Sequence, residues 1–79
     1  MHAEYLVKMA NDIGVFFHSE AGPEAAPAEI AKHIQRFWDR RMRQQIVAHL
    51  SSGGEGLTPD TRRAVEIVAA QLKPAAAAR

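Results

Sequence analysis

Pro27-Ala28-Glu29-Ile30-Ala31-Lys32-His33-Ile34-Gln35-Arg36-Phe37-Trp38-Asp39-Arg40-Arg41-Met42 is the stretch that decides how many helices this chain makes. Pro27 can open a helix at its first position, where a missing amide hydrogen is no loss, and Glu29 then lies in the first turn at the positive end of the helix dipole. Ile30, Ile34, Phe37 and Trp38 form the apolar face of that helix, with Ala31 at its edge. The carboxylate of Asp39 can cap a new helix whose apolar positions are Met42, Ile46, Val47 and Leu50, which predicts a tight corner at Trp38-Asp39. Arg40 and Arg41 do nothing to break a helix, so one continuous helix from Pro27 to Leu50 is the alternative.

Upstream of this stretch, Leu6, Met9, Ala10, Ile13, Phe16 and Phe17 recur at spacings of three and four and predict a helix from about Ala3 to His18. Gly14 within it either costs helix propensity or permits a close approach by another backbone. The segment from His18 to Ala26 loses the periodicity, contains Gly22-Pro23 and reads as a loop. Downstream, Ser51-Ser52-Gly53-Gly54-Glu55-Gly56 is a helix stop, with Gly53 able to take the left-handed C-cap conformation. Thr58-Pro59-Asp60 then starts a last helix, with Thr58 as cap, and Ala64, Val65, Val68, Ala69 and Leu72 form its face. Pro74 stops it and Ala75 to Arg79 should fray. The expected fold is all-α, a small helical bundle of about four short helices, with residues 1–79 a single domain and 74–79 its frayed tail. Neither strand-type alternation nor an internal repeat is visible.

The chain has 79 residues, 47% apolar and 24% charged, with a formal net charge of +1. A core of this size is usually supported by disulfides, a metal or a partner chain. With no Cys, neither a disulfide nor a thiolate metal site can provide that support, which directs attention to a partner. The leader Met1-His2-Ala3-Glu4 has no basic region ahead of a long apolar run, and no stretch approaches the roughly 20 apolar residues a membrane span needs. A soluble, cytoplasmic protein is expected.

Catalytic and metal-binding constellations are hard to assemble from these residues. Gly53, Gly54 and Gly56 precede a helix, but no strand leads in and no Lys-Ser or Lys-Thr follows, so a helix-helix turn explains them better than a phosphate cradle. His2, His18, His33 and His49 are not spaced at three or four from one another, and a zinc site would need ligands from several helices. His33 follows Glu29 by one turn, which an intrahelical pair explains, and His49 can help satisfy the end of its helix. Glu20 and Glu24 read as solvated loop carboxylates rather than an acid-base pair. No catalytic, cofactor-binding or metal-binding residue is therefore assigned.

Charge and aromatic residues point instead to a surface. Lys32, Arg36, Arg40, Arg41 and Arg43 face a single acid, Asp39, which an i,i+4 pair with Arg43 would partly neutralise. Such a cluster, on two helices joined by a corner, could meet nucleic-acid phosphates or an acidic protein patch, and near-neutrality of the whole chain favours the latter. Phe16-Phe17 and Phe37-Trp38 are adjacent pairs whose members diverge by about 100° on a helix. Phe16 and Phe37 are expected in the core, while Trp38, a large ring with one donor, suits an interface anchor. Met9 and Met42 read as core fillers.

The segments Leu6-Val7-Lys8-Met9-Ala10-Asn11-Asp12-Ile13-Gly14-Val15-Phe16-Phe17, Ile30-Ala31-Lys32-His33-Ile34-Gln35-Arg36-Phe37-Trp38-Asp39-Arg40-Arg41-Met42-Arg43 and Gly56-Leu57-Thr58-Pro59 resemble the delta subunit of NAD-dependent, molybdenum-containing formate dehydrogenases. The likeness runs from about Glu4 to Leu72 and is most specific at His33-Ile34-Gln35-Arg36-Phe37-Trp38-Asp39. Where that family usually has Pro after Trp-Asp, this chain has Arg40, which removes a preorganised first helical residue. The resemblance implies a non-catalytic accessory subunit that binds the large catalytic subunit and aids assembly, cofactor insertion or stability of the complex. The molybdenum cofactor, iron-sulfur clusters, FMN and NAD are then implied in partner subunits, with none held by this chain. On that basis the contact is expected around the second helix and its corner, through Phe17, His33, Arg36, Trp38, Asp39, Arg41 and Met42. A small nucleic-acid-binding protein using the basic 32–43 segment and a homodimer in isolation are the alternatives.

Overall fold

Four helices follow one another: α1 (Ala3–Ala21), α2 (Ala26–Phe37), α3 (Arg40–Ser51) and α4 (Pro59–Leu72). The structure, a computed structural model, describes residues 2–72, and no strand occurs among them. The expected stop at Pro74 and the frayed tail 74–79 lie outside the described residues. Helix α1 runs three residues beyond its expected end at His18. Ser19, Glu20 and Ala21 are tolerated in a last turn, and the chain leaves the helix only at Gly22, whose φ of 87° opposes continuation and whose N–H donates to the His18 carbonyl at 3.2 Å. Pro23 then cannot resume it, and a short turn delivers the chain to α2.

The corner between α2 and α3 takes only Trp38 and Asp39, so 27–50 is two helices. Trp38 is extended (φ −90°, ψ 138°) while its N–H still donates to the Ile34 carbonyl at 2.9 Å. Asp39 is extended too, and its Oδ1 accepts the Met42 N–H at 2.9 Å, the capping bond expected of it. The loss of Pro at position 40 is thus offset by the carboxylate cap and by the burial of Trp38, which is 5% exposed.

At the far end of α3 the Gly53 N–H reaches the Leu50 carbonyl at 3.0 Å and the Gly54 N–H the His49 carbonyl at 2.9 Å. This pair of bonds is a Schellman closure with Gly53 at the positive-φ position (φ 123°). The His49 ring completes the turn, its Nε2 donating to the Glu55 carbonyl at 2.7 Å. Arg62 of α4 reaches back to the Gly53 and Gly54 carbonyls, each at 3.1 Å. Thr58 caps α4, accepting the Thr61 N–H at 3.4 Å.

The core is formed by Leu6, Val7 and Ala10 of α1, Ala26, Ile30, Ala31 and Ile34 of α2, Trp38, Ile46 of α3, Leu57, and Ala64, Val65 and Val68 of α4. Helix α2 packs on both α1 and α4, and α4 also carries α3. One approach is very close: a Cβ on Gly14 would stand 2.6 Å from the Oγ1 of the fully buried Thr61. Gly14 therefore serves contact between α1 and α4, and Thr61, a polar residue absent from the expected face of α4, holds a hydrogen bond with Thr58 at 2.9 Å inside that contact.

Three aromatic assignments are corrected by this packing. Phe16 and Phe37 do not fill the core but stand 56% and 68% exposed, and Trp38 is inside. The reason lies in the row Ala26, Ile30, Ile34 and Trp38, spaced at four and buried at every member, whereas Phe37 continues the row of Glu29 and His33 on the flank. Trp38→Ala should accordingly cost about 3–5 kcal/mol, a large share of the ~4–12 kcal/mol expected for a chain of this length. Phe37→Ala should stay within about 0.5 kcal/mol of wild type. Thermal melts followed by circular dichroism check both, and a Phe37→Ala midpoint as low as that of Trp38→Ala would put ring 37 in the core. Gly14→Ala should destabilise by about 1–3 kcal/mol through overpacking against Thr61, against a propensity gain of up to about 1 kcal/mol. A higher melting midpoint for this variant would mean that α1 and α4 do not meet here.

Candidate partner-binding surface

Burial of Trp38 turns Phe37 outward, and the ring that meets it is His33, one turn earlier on α2, at a centroid distance of 4.7 Å. His33 in turn faces Phe17 of α1 edge-on at 6.1 Å, and Phe17 holds Phe16 edge-on at 5.0 Å. Four rings thus cross the α1–α2 hairpin in one continuous strip, its two outer members mostly exposed. Phe17 and His33 are half-buried and anchor the strip, with Phe17 packed on the core. Isolated exposed apolar side chains are ordinary, and adjoining rings at the surface are less so, which makes this strip the candidate contact.

The expected Glu29-His33 pair is not made. Glu29 bonds Lys32 at 3.5 Å, and His33 lies between rings, where its face and edge replace the carboxylate contact. Nor does Arg43 pair with Asp39. The Asp39 carboxylate is taken by the α3 cap, and Arg43 turns back to donate to Gln35 Oε1 at 3.0 Å. Gln35 also donates to Gln71, so this polar cluster joins α2, α3 and α4. The basic cluster seen in the sequence consequently divides. Lys32 is paired, Arg43 is drawn inward, and Arg36, Arg40 and Arg41 are exposed with no ion-pair partner among the described residues.

Of the residues expected at the contact, Phe17 and His33 lie in the strip and Arg36 is next to Phe37 on α2. Arg41 stands exposed in the first turn of α3. Trp38 supports the corner from within, Asp39 caps α3 and Met42 is half-buried against the core. Reading the residues missed Phe16 and Phe37 as surface rings. For Phe16 the available signal was its angle: Leu6, Ala10 and Gly14 make the buried row of α1, and Phe16 lies about 120° from Ala10 around the helix.

A second feature occupies the other side of α1. Gly14, Val15, His18, Thr58, Pro59 and Asp60 line an open hollow of about 460 Å³ where α1 meets the start of α4. His18 Nδ1 donates to Asp60 Oδ2 at 2.8 Å on its rim, a tie across 42 positions that spacing alone did not reveal. Nearby, Asn11 uses both ends of its amide: Nδ2 donates to the Gly56 carbonyl at 2.8 Å, and Oδ1 accepts the Thr58 N–H at 3.2 Å. These groups are spent on holding the α3–α4 connection to α1. Among the described residues no three His, Cys, Asp or Glu come together in a group able to hold a metal ion. No described helix is long and apolar enough to cross a membrane.

Comparison with known proteins yields one family. No curated protein and no solved structure matches the chain. The family model described as NADH-dependant formate dehydrogenase delta subunit FdsD matches residues 5–65, which include the whole aromatic strip, the α2–α3 corner and the Asn11 clamp. That span covers well over half of the chain, and the chain belongs to the FdsD family of formate dehydrogenase delta subunits.

Proposed function

We propose that this chain is a non-catalytic accessory subunit of an NAD-dependent formate dehydrogenase, and that it binds the large molybdenum subunit in the cytoplasm to aid assembly, cofactor insertion or stability of the complex. The observation that carries this reading is the exposed ring strip on a chain of the delta-subunit family. The proposed contact comprises Phe16, Phe17, His33 and Phe37, with Arg36 and Arg41 beside them. Trp38 and Asp39 act through the corner that presents these side chains, and Met42 packs behind it. Molybdenum cofactor, iron-sulfur clusters, FMN and NAD belong to partner subunits in this reading, which rests on the delta-subunit family.

The energetics ask little of so small a chain. A subunit that binds one state of a partner and not its unfolded or misassembled forms stabilises that state by mass action, about 2.7 kcal/mol when present at a hundred times its Kd. Phe16 and Phe37 are 56% and 68% exposed, so burying what remains of each ring on docking adds about 1–2 kcal/mol to the gross interaction. Affinity purification of the tagged chain from its native cells at moderate salt, with mass spectrometry of what is retained, tests the reading. The large formate dehydrogenase subunit should be recovered with the wild-type chain. Recovery with a Phe16→Ala/Phe37→Ala variant of unchanged helix content should fall by about tenfold or more, as for centrally placed interface aromatics. A wild-type chain that retains no large subunit would overturn the proposal.

A further inference from the structure

The hairpin that carries the aromatic strip has a charge polarity along its axis. Helices α1 and α2 are joined by a four-residue turn and pair as an antiparallel hairpin. At the turn end stand the exposed carboxylates Glu20 and Glu24. At the corner end stand Arg36, Arg40 and Arg41, all exposed. Arg40 is three residues beyond Phe37, so its Cα lies within about 11 Å of that of Phe37. The 12 residues of α2 separate the two ends by about 18 Å, roughly twice the screening length at physiological salt.

The acids that flank these arginines in sequence leave the corner end with an excess of positive charge. Glu29 is engaged by Lys32 at 3.5 Å, and Asp39, whose carboxylate caps α3 by accepting the Met42 N–H, offsets one charge of the three. Arg36 precedes Phe37 on α2 and Arg40 and Arg41 open α3, and these three guanidinium groups, each able to grip a carboxylate with two parallel hydrogen bonds, have no internal ion-pair partner among the described residues. Apolar rings along the middle and unpaired cations at one end make a surface that fits an amphipathic segment with a complementary order of groups.

We infer that the strip receives an amphipathic segment of the large subunit whose apolar side covers Phe16, Phe17, His33 and Phe37, and whose carboxylates lie over the corner end, against Arg36, Arg40 and Arg41. This rests on the accessory-subunit reading and adds to it the chemistry and direction of the partner element. The rings supply the salt-insensitive part of the affinity. The arginines supply a salt-sensitive part, which speeds encounter and sets which way round the segment lies.

The test uses the full-length chain and a formate dehydrogenase complex purified from cells lacking this subunit, with binding followed at 50 and 500 mM NaCl. Arg36→Glu/Arg40→Glu/Arg41→Glu should bind at least about 30-fold more weakly than wild type at the lower salt, and the gap should close to about fivefold or less at the higher. Phe16→Ala/Phe37→Ala should lose about tenfold or more at both. Glu20→Lys/Glu24→Lys, altered at the far end, should stay within about threefold of wild type. Wild-type binding that the arginine reversals leave unchanged would overturn the inferred chemistry while the accessory role stands. A wild-type chain that does not bind the complex would remove both. Sedimentation of the isolated chain supplies a separate check: a dimer abolished by Phe37→Ala would make a second copy the occupant and overturn the inference. Retention of duplex DNA, lost in the arginine variant and unaccompanied by binding to the complex, would do the same.

Discussion

Everything on the α1–α2 face depends on where the ring of Trp38 goes. The row Ala26, Ile30, Ile34 and Trp38 is buried throughout, so the last member of α2's inner row lies one residue beyond the helix, in extended backbone. Extending the chain at Trp38 frees it to turn, and the Asp39 carboxylate makes the turn definite by satisfying an amide of the next helix. Neighbouring side chains diverge, so an inward Trp38 leaves Phe37 no place in the core. The same choice that closes the bundle thus sets an uncovered ring beside His33. Here core packing and the exposure of the surface rings are one event rather than two separately arranged features.

The other half of the strip is positioned from the opposite side of α1. Gly14 lets α1 lie against Thr61, and the Asn11 amide grips the chain at Gly56 and Thr58. Both contacts are specific along the helix axis, unlike apolar packing, which tolerates sliding. They fix the height and rotation of α1, and with it the point at which Phe17 meets His33. His18 and Asp60 add a polar tie near the same junction. An exposed pair of this kind contributes little stability on its own, so its main effect is on orientation.

Much of the architecture was legible in local chemistry. Asp39, Gly53, Thr58 and Pro59 each mark a helix boundary by a mechanism confined to a few neighbouring residues and are used at their expected places, whereas α2 begins at Ala26, one residue ahead of the Pro27 expected to open it. Of the residues expected at the contact, Phe17 and His33 meet across α1 and α2, and Arg36 stands exposed on α2. What escaped was of two kinds. Phe16 and Phe37 were assigned inward on hydrophobicity, which measures how much a ring gains by burial but not which of two adjacent rings the helix turns toward the core. Asn11 with Gly56 and Thr58, His18 with Asp60, and Gly14 with Thr61 join residues more than forty positions apart. Local patterns carry no trace of such pairings. Arg43 shows a related limit, because it donates to Gln35 of α2 and not to Asp39, one turn away on its own helix.

The Asn11 clamp also bears on the order in which the chain can take shape as it leaves the ribosome. The partners of Asn11 at Gly56 and Thr58 are synthesised 45 and 47 residues after it. The inner surface of α1 must wait longer still, for Thr61 and the residues that follow it in α4. The α1–α2 hairpin, by contrast, needs only contacts between near neighbours in sequence, which form early because little chain entropy is lost in closing them. During translation α1 and α2 can therefore pair before the remainder of the bundle exists, while the meeting of Phe17 with His33 is fixed only once Gly56, Thr58 and Thr61 have been made. An aromatic face is then presented by a nascent chain whose interior is still open, the stage at which exposed apolar surface is most prone to misassociation. Early capture by a partner would shield that face during the interval.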